Sequence, residues 1–167
     1  MKREAEIFDM DGTLCDVRPI RHLLRTTGRH HAFHMASIDC KPNPEVVEGV
    51  RAAQAAGRDI LVVTARTTRY RHVTAFWLAM WDVHSDRLFM RRHGDYRPDV
   101  AVKADILASI LTRWDVKRAW DDNPNVWDLW ESYGIPTVRV PGWVWPTPAI
   151  PFDSTGGSRA PVPVRPR

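Results

Sequence analysis

Ile7-Phe8-Asp9-Met10-Asp11-Gly12-Thr13 passes from apolar residues into two carboxylates set two positions apart. The apolar start fits a buried strand, and the acidic pair fits the loop that follows it. Along an extended chain, side chains two apart point the same way, so Asp9 and Asp11 share a side. Gly12 lets the backbone turn sharply where a β-carbon would clash. Two carboxylates held together repel, and both stay ionised only with a cation between them. Magnesium suits that place, because hard cations take oxygen ligands and combine one or two carboxylates with phosphate. A plain Asp-Gly turn after a strand accounts for the same residues without any ion. The other motifs of the chain distinguish the two.

With 167 residues, 44% of them hydrophobic, the chain can form one domain with a sizeable core. No apolar run approaches the roughly 20 residues of a membrane span. Met1-Lys2-Arg3-Glu4 leads straight into a strand, so no signal peptide and a cytoplasmic location are expected. Cys15 and Cys40 lack paired spacing and are expected to be free thiols. The formal charge is +4 and the positive residues are mostly arginine. The guanidinium fork grips phosphate, which favours an anionic substrate or polymer, although a GC-rich genome also enriches arginine. A GxxxxGK[ST] motif is absent, which excludes a P-loop kinase.

Residues 4–9 form the first expected strand. An irregular stretch follows from Cys15 to about Lys41, carrying Arg18, Arg21, Arg25, Arg29, His30, His31 and His34. The histidine spacing fits no closed four-ligand zinc site. The arginines either sit over the acidic loop or line the solvated face of a short helix. Asn43-Pro44 starts a helix with Val46, Val47, Val50, Ala53 and Gln54 at helical spacing, and Gly57 stops it. The continuous apolar run 59–64 reads as a parallel strand covered on both faces, ending in Thr64-Ala65-Arg66. A helix over about 69–81 takes Phe76, Trp77, Met80 and Trp81 as its apolar stripe. Residues 87–91 form a third strand, and a polar loop 93–98 leads into a helix over about 99–114. There Val102, Ile106, Leu107, Ile110 and Leu111 turn inward, and Asp99 and Lys103 share a face. Strand 116–120 ends in Asp121-Asp122-Asn123-Pro124, a second Asn-Pro helix start. That helix carries Val126, Trp127, Trp130 and Tyr133, is stopped by Gly134, and gives way to a strand over 135–140. Beyond Pro141, Trp143 and Trp145 stand among prolines. They read as core at a strand end or as a base-stacking surface. The expected organisation is one domain over 1–145 and a flexible Pro/Gly/Arg-rich tail over 146–167.

Strand and helix alternate throughout, the mark of an α/β fold with a parallel sheet of about five strands and helices on both faces. In such sheets ligands bind outside the carboxyl ends of the strands. Asp9 and Asp11, Thr64 and Arg66, and Asp121 and Asp122 all end strands, with Asp99 and Lys103 just before the fourth. The residue types suit phosphoryl transfer. One aspartate can act as nucleophile and a second as acid and base. Magnesium held by Asp9 and a carboxylate of the fourth strand can neutralise phosphate. Thr64 and Lys103 can hold the phosphoryl oxygens.

Asp9-Met10-Asp11-Gly12-Thr13, Thr64, Lys103 and Asp121-Asp122 resemble, in order, the four motifs of the haloacid dehalogenase superfamily of phosphatases. The resemblance implies a Rossmann-like sheet, magnesium, and an aspartyl-phosphate intermediate. It makes Asp9 the nucleophile and Asp11 the acid/base. The main-chain carbonyl of Asp11, with Asp121 or Asp122, would complete the metal shell. Over roughly 6–145, Val62-Val63-Thr64-Ala65-Arg66, the stretch from Arg97 to Lys103, Asp121-Asp122-Asn123 and Gly134-Ile135-Pro136 resemble the 3′-phosphatase domain of phage polynucleotide kinase–phosphatase. That likeness gives Arg66, Asp99 and either Arg18 or Arg21 to substrate. The second motif departs from it, reading Thr-Ala-Arg where the family has Ser-Gly-Arg, and the kinase half is missing.

The expected function is removal of terminal 3′-phosphates from nucleic acid, with a kinase or ligase supplied by a separate partner. Lack of a large cap leaves the site open to a polymer end. A small-molecule phosphatase acting on nucleoside monophosphates is the nearest alternative. A nucleic-acid-binding module without catalysis is the other.

Overall fold

The computed structural model describes residues 1–25 and 30–142. Arg29, Trp143, Trp145 and the segment 146–167 lie outside the described residues. Five strands, β1 (Arg3–Phe8), β2 (Asp59–Thr67), β3 (Arg87–Arg91), β4 (Trp114–Asp121) and β5 (Thr137–Arg139), form one sheet in the order β3-β2-β1-β4-β5. Every neighbouring pair is parallel. Five α-helices connect and flank them: α1 (His30–Ala36), α2 (Pro44–Ala55), α3 (Arg71–Met80), α4 (Asp99–Leu111) and α5 (Pro124–Ser132).

Alternation along the strands builds two cores. Phe8, Ile60 and Val62 face a layer containing Val46, Val50 and Trp77. Ala5, Ile7, Leu61 and Val63 face the other way, onto Leu107, Ile110, Val126 and Trp130. Each face is anchored by one fully buried tryptophan, Trp77 or Trp130. Burying a side chain of that size stabilises by roughly 4–6 kcal/mol from area alone. Both Asn-Pro helix starts hold, and Asn123 caps α5 by accepting from the Asn125 N–H at 3.1 Å.

Several expectations change. The stretch from Cys15 to Lys41 is not irregular: it contains 3-10 turns at Arg18–Arg25 and Ser37–Asp39 and the helix α1. On α3 the buried side is Val73, Thr74, Trp77 and Leu78, while Phe76 and Met80 are exposed. Residues 76 and 80 lie on a different arc from 73 and 77, and the sheet takes the latter pair. Tyr133 is likewise exposed, and Gln54 sits outside the α2 stripe. The fourth helix ends at Leu111, earlier than residue 114, because Trp114 already begins β4. Cys15 and Cys40 are free and buried. Among the described residues no helix is long and apolar enough to cross a membrane.

β1 is flanked by β2 on one side and β4 on the other. Strand order reverses there, and the crevice opens beyond the carboxyl ends of these strands. Register sets Phe8 beside Val62 and Trp120, so the residues that follow emerge together.

Candidate active site

The loop after β1 is closed on itself. The Asp9 N–H extends the ladder by donating to the Trp120 carbonyl at 2.9 Å. Cys15 N donates to Met10 O at 2.8 Å, and Gly12 N to Cys15 O at 2.9 Å. Gly12 has φ of +91°, and a β-carbon there would lie 2.1 Å from Asp122 Oδ2. Glycine is required twice over, by backbone sign and by space. The Gly142 β-carbon would similarly lie 2.2 Å from the Gly12 carbonyl. Those glycines let three segments close around Asp122.

A cleft of about 960 Å³ lies over this loop, lined by Asp9, Asp11, Thr64, Arg66, Asp99, Lys103 and Asp122 among others. Asp121 is fully buried behind it. Lys103, projecting from α4, ties the floor together. Its Nζ donates to Asp9 Oδ1 and Asp121 Oδ2, both at 2.8 Å, and lies 3.6 Å from Asp99 Oδ2. Burial disfavours the ammonium, but Asp121, Asp9 and Asp99 outweigh it and raise its pKa well above the usual lysine value. Burial likewise pushes Asp9 well above the carboxylate range, and Lys103 offsets this only in part.

Asp11 behaves differently. Burial opposes its charge, yet the Arg66 fork overcomes this and lowers its pKa. Arg66 Nε and Nη2 donate to the Asp11 carboxylate at 2.7 and 2.5 Å. Pairing of β2 with β3 slips between Thr64 and Thr67. Such an irregularity re-aims side chains at a strand end, and Arg66 lies within it. Its own N–H donates to Thr64 Oγ1 at 3.1 Å.

Asp9, Asp121 and Asp122 each offer an oxygen within 4.8 Å of the others. Asp121 is fully engaged: besides Lys103 it accepts from Asn123 N at 3.0 Å and Trp130 Nε1 at 3.3 Å. Asp122 Oδ1 accepts from Thr13 Oγ1 at 3.4 Å, but its Oδ2 is buried without a partner among the described residues. Burial first, then Asp121, pushes the Asp122 pKa up to about 7. An orphaned buried carboxylate oxygen costs stability, and a cation beside it would remove that cost. The all-oxygen donor set fits a hard divalent metal. The Asp11 carboxylate, held by Arg66, is outside the cluster.

Arg18 and Arg21 do not line the cleft. The Arg18 side chain is exposed and clasped by Asp16 at 2.6 Å. Arg21 is half-buried, donates to the Gly142 carbonyl and exerts its charge on Asp122. His30 and His34 do line the cleft. His34 packs on Tyr70 at 4.4 Å between ring centroids, and burial lowers its pKa to about 4. Among the described residues the histidines do not join the ion-sized cluster. The sequence reading named Asn123, Thr13, Trp127 and Trp130 but gave none of them a part in holding the carboxylates. Asn123 Nδ2 donates to Asp99 at 3.4 Å, and Trp127 Nε1 to the Asp121 carbonyl at 2.7 Å. Their sequence signals were position alone: Thr13 closes the acidic loop, Asn123 follows Asp121-Asp122, and the two tryptophans lie on the helix that begins there.

Residues 3–142 match the family model of the polynucleotide kinase PNKP phosphatase domain. The chain belongs to this family. Two solved structures, "Structure of the Pnkp1/Rnl/Hen1 RNA repair complex" and "Structure of Pnkp1/Rnl/Hen1 complex", superpose with TM-scores of 0.72 and 0.72 at 26% and 25% identity. Each covers 83% of this chain, which spans only 42% and 46% of theirs. The class C acid phosphatase from Bacillus anthracis with tungstate bound shares the fold, with a TM-score of 0.66, 13% identity, and coverage of 85% of this chain and 68% of that one. As a PNKP-type phosphatase domain of the haloacid dehalogenase superfamily, the chain is a phosphomonoester hydrolase.

Proposed function

We propose that this domain removes terminal 3′-phosphates from nucleic acid, using magnesium and an aspartyl-phosphate. The observation that carries the reading is convergence of Asp9, Asp121 and Asp122 at the base of the cleft, Asp121 just behind its lining, in a chain of the PNKP phosphatase family. Asp9, Asp121 or Asp122, and the main-chain carbonyl of Asp11 would hold the ion, which would neutralise phosphate charge. Asp9 attacks phosphorus, forming an acyl-phosphate bond as the P–O bond to the 3′-oxygen breaks. Asp11 gives that oxygen its proton, then takes one from the water that hydrolyses the acyl-phosphate. Lys103 and Thr64 steady the phosphoryl oxygens. Arg66 and Asp99 serve the substrate, and Arg21 is better placed than Arg18 to join them.

Arg66 connects binding to proton transfer. Its fork holds Asp11 ionised, which is the wrong state for a proton donor. A substrate phosphate offers the same paired oxygens to the guanidinium. Transfer of the fork from Asp11 to phosphate frees Asp11 to carry a proton only when substrate is present.

Pnkp1, one relative of solved structure, occurs in an RNA repair complex. By analogy, 5′-phosphorylation and sealing here would fall to a separate kinase or ligase. The test compares kcat/KM for a 3′-phosphorylated trinucleotide and a 3′-mononucleotide at low and high salt. Polymer binding releases counterions, so the trinucleotide should be favoured and lose more as salt rises. Arg66→Ala should cost far more than Arg139→Ala, whose arginine is occupied at the surface by Glu131 at 2.8 Å. Equal efficiency and equal salt response would leave a nucleoside-monophosphate phosphatase, a reading that the size of the cleft also accommodates.

A further inference from the structure

One aromatic side chain at the cleft serves neither the core nor the carboxylate floor. Tyr96 lines the cleft and is 92% exposed. It stands in the segment between β3 and α4, three residues before Asp99. That segment is fastened from both sides. Arg91 reaches back to donate to the Ala65 carbonyl at 2.8 Å and forward to the carbonyls of Asp95, at 3.2 Å, and Arg97. The Arg97 guanidinium is held by Asp95 and Asp105, both at 2.8 Å. The Arg97 N–H also donates to Asp95 at 3.0 Å, and the His93 N–H to Thr68 Oγ1 at 3.2 Å. Tyr96 is therefore an open ring on a fixed support.

Arg69 and Arg91 line the same cleft, and neither forms an ion pair among the described residues. Arg91 spends its donors on carbonyls rather than on a carboxylate. An exposed aromatic ring and cationic side chains along one cleft are the arrangement by which single strands are held: bases stack while cations follow the backbone. A backbone fixed beforehand also reduces the freedom lost on binding.

We propose that Tyr96 stacks on a base upstream of the terminal nucleotide, with Arg69 and Arg91 beside the intervening phosphate. The inference rests on the polynucleotide reading above. It makes Tyr96 the residue that separates an oligonucleotide from a mononucleotide, since the latter has no second base to offer.

The test measures kcat/KM of wild type, Tyr96→Ala and Tyr96→Trp on three substrates. These are a 3′-phosphorylated trinucleotide, the same strand abasic at its two upstream positions, and a 3′-mononucleotide. In parallel, 2-aminopurine fluorescence reports stacking at the upstream position. Tyr96→Ala should lower trinucleotide efficiency by about 5- to 100-fold, mainly through KM, and far more than it lowers the other two. Tyr96→Trp should retain the trinucleotide preference, and 2-aminopurine should be quenched by wild type and not by Tyr96→Ala. If wild type prefers the trinucleotide but Tyr96→Ala keeps that preference, the stacking role is overturned and the polynucleotide reading stands. Equal losses on all three substrates also overturn it, as the mark of a structural residue. If wild type shows no preference, both fall together.

Discussion

Two sets of buried carboxylates lie in the same sheet and are treated in opposite ways. Within the body of the sheet, Glu6 accepts from Arg58 Nη1 at 2.6 Å and Trp120 Nε1 at 3.0 Å. Asp59 accepts from Arg3 and from Trp114 Nε1 at 2.8 Å. Each has its own cation and its own indole. At the carboxyl edge, Asp9, Asp99 and Asp121 share Lys103, and Asp122 Oδ2 has no hydrogen-bond partner among the described residues. The first set is balanced within the chain and holds strands together. The second carries more negative charge than the chain itself neutralises, which suits a metal and a substrate. Burial alone therefore does not distinguish a structural acid from a chemical one, whereas completeness of pairing does.

The largest effect should come from exchanging charge at the two places. Asp9→Asn should reduce turnover by on the order of 10⁴-fold or more while leaving Tm unchanged or higher, because it removes repulsion along with the nucleophile. Activity near wild type in that variant, measured free of contaminating phosphatase, would break the contrast. Asp11→Asn should cost about 10²–10⁴-fold, the usual worth of proton transfer. The loss should shrink on an aryl phosphate, whose leaving group needs no proton.

Metal sharpens the contrast from the side of stability. Magnesium at about 100 times its Kd should stabilise the protein by about 2.7 kcal/mol, and chelation should abolish activity. Glu6→Gln should keep the magnesium-induced rise in Tm, whereas Asp122→Asn should lose most of it. Calorimetry with and without the ion reads both. Glu6→Gln itself should lower stability by about 1–3 kcal/mol, as an arginine and an indole lose their charged acceptor, with kcat unaffected.

The smallest effect concerns His34, at the cleft wall. Its pKa in the fold, about 4, is below the ordinary value near 6.5. Between those values the unfolded chain binds the extra proton. Stability should therefore fall as pH drops through that window and level off below it. His34→Phe, which keeps a ring against Tyr70, should remove about 1–2 kcal/mol of that acid loss. Tm of both proteins at pH 7 and pH 4.5 checks it; identical acid losses would refute it.

The strand at 59–64 was readable because its continuous apolar run carries its own evidence of burial on both faces, whereas 116–120, interrupted by Lys117 and Arg118, was readable from the alternation of strand and helix. Asp9, Asp11 and Thr64 could be placed at the cleft because spacing and strand ends coincide, and Lys103 because it shares a helix face with Asp99 just before the fourth strand. What escaped depends on pairing across distance. The segment between Cys15 and Lys41 has no apolar period and places Phe33 alone of α1 in the core. Its folding onto the cleft follows from contacts such as His34 with Tyr70. Phe76 and Met80 misled because an apolar i,i+4 pair marks a helix arc without saying which arc meets the sheet. The difference between Asp121, fully paired, and Asp122, half paired, exists only once Lys103, Trp130 and Thr13 surround them.

The strand order also gives the site a history. β1 leaves the ribosome first yet stands in the middle of the finished sheet. Asp9 meets Lys103 across 94 residues, and Thr13 meets Asp122 across 109. At roughly 5–20 residues per second of synthesis, the acidic loop waits on the order of 5–20 s for those partners to be made. A chain arrested after β3 would own both aspartates of its first motif and the Arg66 that pairs with Asp11, but neither Lys103 nor Asp122. Competence therefore arrives late and all at once, when β4 enters beside β1 and the first loop made becomes the last completed.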